Sequence, residues 1–217
     1  YLKQRNQRRA KKKQPALPYR KQTELAAELI HTAPVPEKAK VVVLGDTAFD
    51  AEVLQEACRK KGYSWIVSMN QERVLDRNKP RPKVWSLAST FQTHQFAPVK
   101  LTPGKGRYVA QRRVAACRLG RKAKTRTFYV HRETLTVHSV GKVQVVFSTM
   151  LEPKRGKSVE IQKVLMTNDL TLSAAQIVEL YDLRWQVGLF FKELKSTLGF
   201  DQYRFQKSGK VLIVQEG

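Results

Sequence analysis

Between Lys40 and Asn70 the chain changes its hydrophobic period twice, and this stretch limits the fold more than any other. Lys40–Asp46 sets four apolar residues in a row and stops at Gly45-Asp46. A short apolar run that ends on turn residues reads as a buried strand. Asp50 is placed to cap a helix from Ala51 that closes at Gly62. Tyr63–Asn70 then reads as a second strand. Strand, helix and strand at this spacing form a βαβ unit with a parallel pair, which commits the chain to an α/β sheet.

The flanking sequence is of a different kind. Residues 1–21 carry Pro15 and Pro18 and no apolar period, so they are expected to form a basic extended arm. Thr23 is a candidate cap for a helix through Leu25, Leu29 and Ile30. The βαβ unit lies in a first core segment, 22–80, that ends in a Pro-rich break at Lys79-Pro80-Arg81-Pro82. Over 81–159 short strand-like runs follow, at Tyr108–Cys117, Thr125–His131, Thr134–Val140 and Lys142–Met150. Turn signals such as Gly104, Gly106 and Gly120 separate them, and they are expected to form an antiparallel, β-rich insertion. Glu160–Asn168 reads as a return to the core sheet, opening a second core segment, 160–205, with a tail at 206–217.

Charge narrows the partner. The 217 residues hold 41 Lys+Arg against 18 Asp+Glu, a formal net charge of +23. Such a field repels itself unless a polyanion is near, and nucleic acid is the usual one. Nine Lys/Arg and no acid fall in Tyr1–Thr23; seventeen Lys/Arg and two acids, Glu133 and Glu152, fall in Arg81–Val159. An anionic membrane surface is the second candidate partner, but no apolar run of about 18 residues spans a bilayer. Cys58 and Cys117 lack metal-ligand spacing and read as reduced thiols. His31, His94, His131 and His138 do not cluster, so no zinc site is expected.

The last long element carries the chemistry. Ser173 and Gln176 form a capping box, and a helix is expected from Ala174 to about Leu198, stopped by Gly199. In steps of four and three, one stripe of this helix runs through Ile177, Tyr181, Arg184, Gly188, Phe191, Lys195 and Leu198. The remaining faces are largely apolar, so the helix is buried and its cations face a cleft or anions, or else snorkel to water at the core edge.

This stripe resembles the Tyr-Arg-Glu-Lys signature of the DDE transposases of the insertion-sequence-four type. The signature spacing falls on Tyr181, Arg184, Gly188 and Lys195, with Gly188 where the family has its catalytic Glu. The region from Val41 through Leu54, followed by Trp65–Leu75, resembles the family's second-Asp region, with Asp46 as the carboxylate. The resemblance covers roughly Pro15 to Phe205. It implies a ribonuclease H-like fold, a mixed sheet flanked by helices with a β-rich insertion before the Glu-bearing helix. The order of elements read from the residues is the same.

The resemblance also implies DNA transposition by two-metal phosphoryl transfer, with Mg²⁺ or Mn²⁺ held by three carboxylates that include Asp46. Tyr181, Arg184 and Lys195 would contact DNA phosphates. The implied partners are double-stranded DNA, as element ends and target, and a second transposase protomer. The implied setting is the nucleoid of a bacterial cytoplasm. No Asp precedes Asp46, so the family's first Asp is expected upstream of this chain. Gly188 has no side-chain oxygen, and Asp182 and Glu193 lie about 120° and 140° away around the helix. The expectation is therefore a chain that binds DNA but is catalytically impaired. The competing expectations are a working transposase and a nuclease of the same fold. An RNA-binding protein is disfavoured by the lack of stacking motifs.

Overall fold

The computed structural model describes residues 2–16, 20–70, 72–76, 81–101 and 125–184. The expected strand at Tyr108–Cys117, its glycine turns, Cys117, Gly188, Lys195, the far half of the last helix and the tail lie outside them.

Among the described residues, six strands form one mixed sheet in the order β1-β2-β6-β5-β4-β3. Strands β1 (Val42–Gly45) and β2 (Ser64–Ser68) are parallel and joined through helix α3 (Glu52–Lys61), as the βαβ pattern requires. Strand β6 (Lys163–Thr167) runs antiparallel to β2 and carries the sheet on to β5 (Gly141–Thr149), β4 (Arg126–Val137) and β3 (Ala97–Leu101). Side chains alternate across this sheet. Trp65, Val67, Val145, Phe147, Val164 and Met166 pack on one face with Leu54 and Cys58 of α3. Ile66, Val146 and Leu165 pack on the other with Ile177, Val178, Leu180 and Tyr181 of the last described helix, α5 (Ala174–Leu183). A mixed sheet covered on both faces by helices is the ribonuclease H-like arrangement expected from the sequence.

Several local expectations are corrected. The basic arm is not extended throughout, because α1 (Leu2–Lys11) is helical. Lys, Arg, Gln and Ala are all good helix formers, and their intrinsic preference prevails over the missing apolar period. Lys13, at φ +53°, closes this helix by letting Gln14 N–H reach the Arg9 carbonyl and Lys13 N–H the Ala10 carbonyl. Helix α2 (Gln22–Thr32) starts one residue before the expected cap Thr23; Lys21 stands at the cap, and its N–H donates to the Glu24 carboxylate at 3.0 Å.

The strands of the expected β-rich insertion join the sheet. Strand β5 pairs along β6, so β3, β4 and β5 extend the core sheet, and a short helix α4 (Val84–Ala88) packs Val84 and Ala88 beneath them. Alternation through Thr125–Val140 was read as two strands, but the backbone runs on through Arg132 and Glu133 as one. Both flanks pair with the same partner, so nothing forces a break there.

Asp50 does not cap α3, whose N-terminal flank is Ala51 with no side-chain cap. Its carboxylate is fully buried and turned toward Arg73, at 2.8 and 3.2 Å. It also accepts from Asn70 N–H at 2.9 Å and Gln55 Nε2 at 3.0 Å. A buried carboxylate needs a full set of donors, and a helix N-terminus alone would supply too few. Gly62 does close α3, at φ +67°. Beside it, burial pushes the Cys58 thiol up to about 11, so this cysteine behaves as a packed apolar residue.

A second carboxylate ties β1, β2 and β6 together at one end of the sheet. Asp169, after β6, takes Lys40 at 3.1 Å, the Ser64 hydroxyl at 3.3 Å and the Thr171 hydroxyl at 2.5 Å. Burial alone would raise its pKa; the Thr171 and Lys40 contacts outweigh it and hold the group below the ordinary Asp value. Its stabilisation is therefore present above the unfolded-chain pKa and is lost as pH falls through the lower folded value. Asp169→Asn is expected to cost about 1–2 kcal/mol at neutral pH. The deficit against wild type should shrink in urea melts run at progressively more acid pH, and a deficit that does not change with pH would contradict the assignment.

Candidate functional site

The topology brings three chain segments to one end of the sheet. Asp46 directly follows β1, and Ser68 ends β2. Lys163 opens β6, which runs the opposite way, so it lies at that same end. Ligands of open α/β sheets bind outside the carboxyl ends of the parallel strands, which is where these residues stand.

Asp46 is fixed by its own turn. Its Oδ1 accepts from Ala48 N–H at 3.0 Å, capping a short 3₁₀ turn over Thr47–Phe49. The Thr47 hydroxyl donates to Ser68 Oγ at 3.0 Å and pins the turn to β2. Gly45 permits this packing, because a Cβ there would lie 3.0 Å from Phe49 Cβ and 3.1 Å from Val67 Cγ1. The Asp46 side chain is left 46% exposed, with its second oxygen open to a partner.

That partner comes from α5. The capping box holds as expected: Gln176 N–H donates to Ser173 Oγ at 3.2 Å, and Ser173 N–H to Gln176 Oε1 at 2.8 Å. Ile177, Leu180 and Tyr181 are buried against the sheet. Arg184, one turn beyond Leu180, places Nη1 3.9 Å from Asp46 Oδ2. The Tyr181 ring lies beneath two cations, with the Arg184 guanidinium and Lys163 Nζ each 5.3 Å from its centroid. Among the described residues the Tyr181 hydroxyl and Arg184 Nε are buried with no hydrogen-bond partner. Groups of this kind are costly unless something pairs with them.

Of the expected site residues, the structure thus brings together Asp46, Tyr181 and Arg184; Gly188 and Lys195 lie outside the described residues. It adds Lys163, which the sequence reading passed over. Burial, and secondly the Arg184 charge, lower the Lys163 pKa, while Asp46 opposes them. A lysine directly before the buried run Val164–Thr167 was the available signal, since a strand's first residue sits at the sheet end. Asp182 also faces the adjoining cavity of about 310 Å³, but Arg126 Nη2 takes both its oxygens, at 2.7 and 2.6 Å.

The family profile described as Transposase DDE domain matches residues 18–212. The chain belongs to this family. The match runs past Phe205, where the sequence resemblance was expected to stop. No curated protein sequence matches the chain. Members of the DDE family act on DNA and generally use divalent metal ions, which require several oxygen ligands.

The described residues of this DDE domain do not fit such a pair of ions. They contain no group of three Asp, Glu, His or Cys residues able to hold a metal. Asp46 faces Arg184, Asp50 is enclosed by Arg73, and Asp182 is held by Arg126. One carboxylate beside two cations favours an anion, not a second cation. Among the described residues, no helix is long and apolar enough to cross a membrane.

Proposed function

We propose that this chain is a DNA-holding unit of a bacterial transposase of the insertion-sequence-four type, and that as it stands it does not cut DNA. The observation that carries the reading is the cluster of Arg184, Lys163 and the unpartnered Tyr181 hydroxyl around one exposed carboxylate. A phosphodiester satisfies the three donors of that cluster. The Arg184 fork donates two hydrogen bonds to non-bridging oxygens, and the Tyr181 hydroxyl donates a third. Lys163 adds a point charge. Asp46 keeps the guanidinium turned to the sheet end. Its side-chain identity also suits the second carboxylate of the family's metal site.

Gly188, at the signature's Glu position, offers no oxygen, and this supports loss of cleavage over a working transposase or nuclease. The Mg²⁺ or Mn²⁺ of the family would need ligands beyond the described set. The partners that follow are duplex DNA and a second protomer holding the other element end.

The test is a salt titration of duplex binding by fluorescence anisotropy. Affinity should fall linearly on a log–log plot as salt rises, because each neutralised phosphate releases counterions. Lys163→Met should flatten that slope by about 1 and weaken all sequences alike. The same change should leave the fold no less stable. A lysine with a depressed folded pKa binds its proton less tightly than the unfolded chain does, so its charge opposes folding until pH exceeds the unfolded value. Affinity indifferent to salt, or a Lys163→Met slope equal to wild type, contradicts the reading.

A further inference from the structure

Helix α1 lies outside everything the phosphate seat uses. From Asn6 to Lys11, the part of the helix whose side chains are described, no residue is buried or enters either core cluster. A helix of ten residues is by itself marginal in water, because so few hydrogen bonds hardly offset nucleation. Its charges work against it as well. Arg8 and Lys12 stand four apart and Arg8 and Lys11 three apart, so like charges lie on one side of the helix.

The end of the helix is nevertheless closed by two backbone hydrogen bonds, and Arg9 Nε donates to the Pro15 carbonyl at 2.7 Å, folding the chain back. The fold leaves an open notch of about 360 Å³ lined by Arg8, Arg9, Lys11, Lys12 and Gln14. Four cations line one concavity, and no acid occurs between Tyr1 and Thr23.

We infer that α1 is a second DNA-contacting element, a helix whose Arg8, Arg9, Lys11 and Lys12 grip the duplex phosphate backbone without reading its sequence. The inference rests on the DNA-binding reading above and extends it to a surface apart from Tyr181, Arg184 and Lys163. A helix about 10–12 Å across with its side chains fits a major groove about 12 Å wide, with phosphates on both rims. The phosphates supply the countercharge that relieves the repulsion between neighbouring cations, so the helix and the contact strengthen each other.

The experiment uses the full chain, a labelled duplex of arbitrary sequence and a range of KCl concentrations. One variant combines Arg8→Gln, Arg9→Gln, Lys11→Gln and Lys12→Gln, which keeps helix propensity and removes four charges. Its log–log salt slope should be shallower than wild type by about 3–4. A second variant, Ala10→Pro, keeps every charge and breaks the helix. It should lose at least half as much slope. Neither position packs in the core, so unchanged melting temperatures verify folding.

A Gln variant with the wild-type slope overturns the inference and leaves the seat at the sheet end untouched. An Ala10→Pro variant that binds like wild type overturns the helical contact. A wild-type chain that binds no duplex even at low salt overturns the DNA-binding reading itself.

Discussion

Replacing Asp50 by Ala is expected to lower the unfolding free energy by about 3–5 kcal/mol, the usual cost of leaving one partner of a buried ion pair uncompensated. For a chain of this length that corresponds to a fall in Tm on the order of 10 °C. The size follows from what the carboxylate satisfies. Arg73 is 15% exposed and makes two contacts to it; Asn70 N–H and Gln55 Nε2 make two more. Removing the acid strands a mostly buried guanidinium and the buried Gln55 amide, while the exposed Asn70 N–H can turn to water. The double change Asp50→Leu with Arg73→Met should recover much of the loss, because it removes both charges. Thermal melts followed by circular dichroism check both, and a single-variant loss under about 1 kcal/mol would mean the pair is solvated. Asp46→Asn, on an exposed carboxylate, should leave Tm nearly unchanged, which separates it from the structural Asp50.

Removing the Arg184 fork is expected to weaken duplex binding about 10- to 100-fold, from the roughly 1.5–3 kcal/mol of a charge-assisted hydrogen-bond pair. Arg184→Lys should recover only part of it, since an ammonium cannot make two parallel bonds to one phosphate. Tyr181→Phe offers the cleaner contrast. The hydroxyl has no partner among the described residues, so its removal should not destabilise the fold, and the melting temperature should hold or rise. DNA affinity should still fall. A Tyr181→Phe chain that melts early yet binds normally would make that hydroxyl structural and remove it from the phosphate seat.

The sequence displayed the parallel β1–β2 pair with its helix, and the start of the last helix, because each is written in a strong local code. Four apolar residues before Gly45-Asp46, the Gly62 stop and the Ser173–Gln176 box are all short-range signals, and all appear in the fold. Tyr181, Arg184 and Asp46 were recognisable by resemblance, and their approach at the sheet end follows from β1 and α5 packing on the same strands.

What escaped depends on long-range pairing. Nothing local in Gly141–Thr149 says that β5 hydrogen-bonds to β6, so the continuity of these strands with the rest of the sheet was not legible. Asp50 looked like a cap because its true partner, Arg73, comes twenty-three residues later, after β2. For Lys163 the local signal placed it only at a strand's end, and the antiparallel sense of β6 is what brings it to Asp46's end of the sheet. Helix α1 escaped differently, for its propensity was legible and the absence of an apolar face was given more weight.

The central claim is a domain that grips DNA but lacks the oxygen ligands to cut it, and a cleavage assay tests it most directly. Three proteins would be incubated with element-end duplex and Mg²⁺ or Mn²⁺: this chain, a version joined to an upstream strand bearing the family's first Asp, and that same version carrying Gly188→Glu. The account predicts that all three bind and that only the Gly188→Glu form nicks the DNA. Cutting by either form that keeps Gly188 would contradict it, and would mean that another acid completes the metal site.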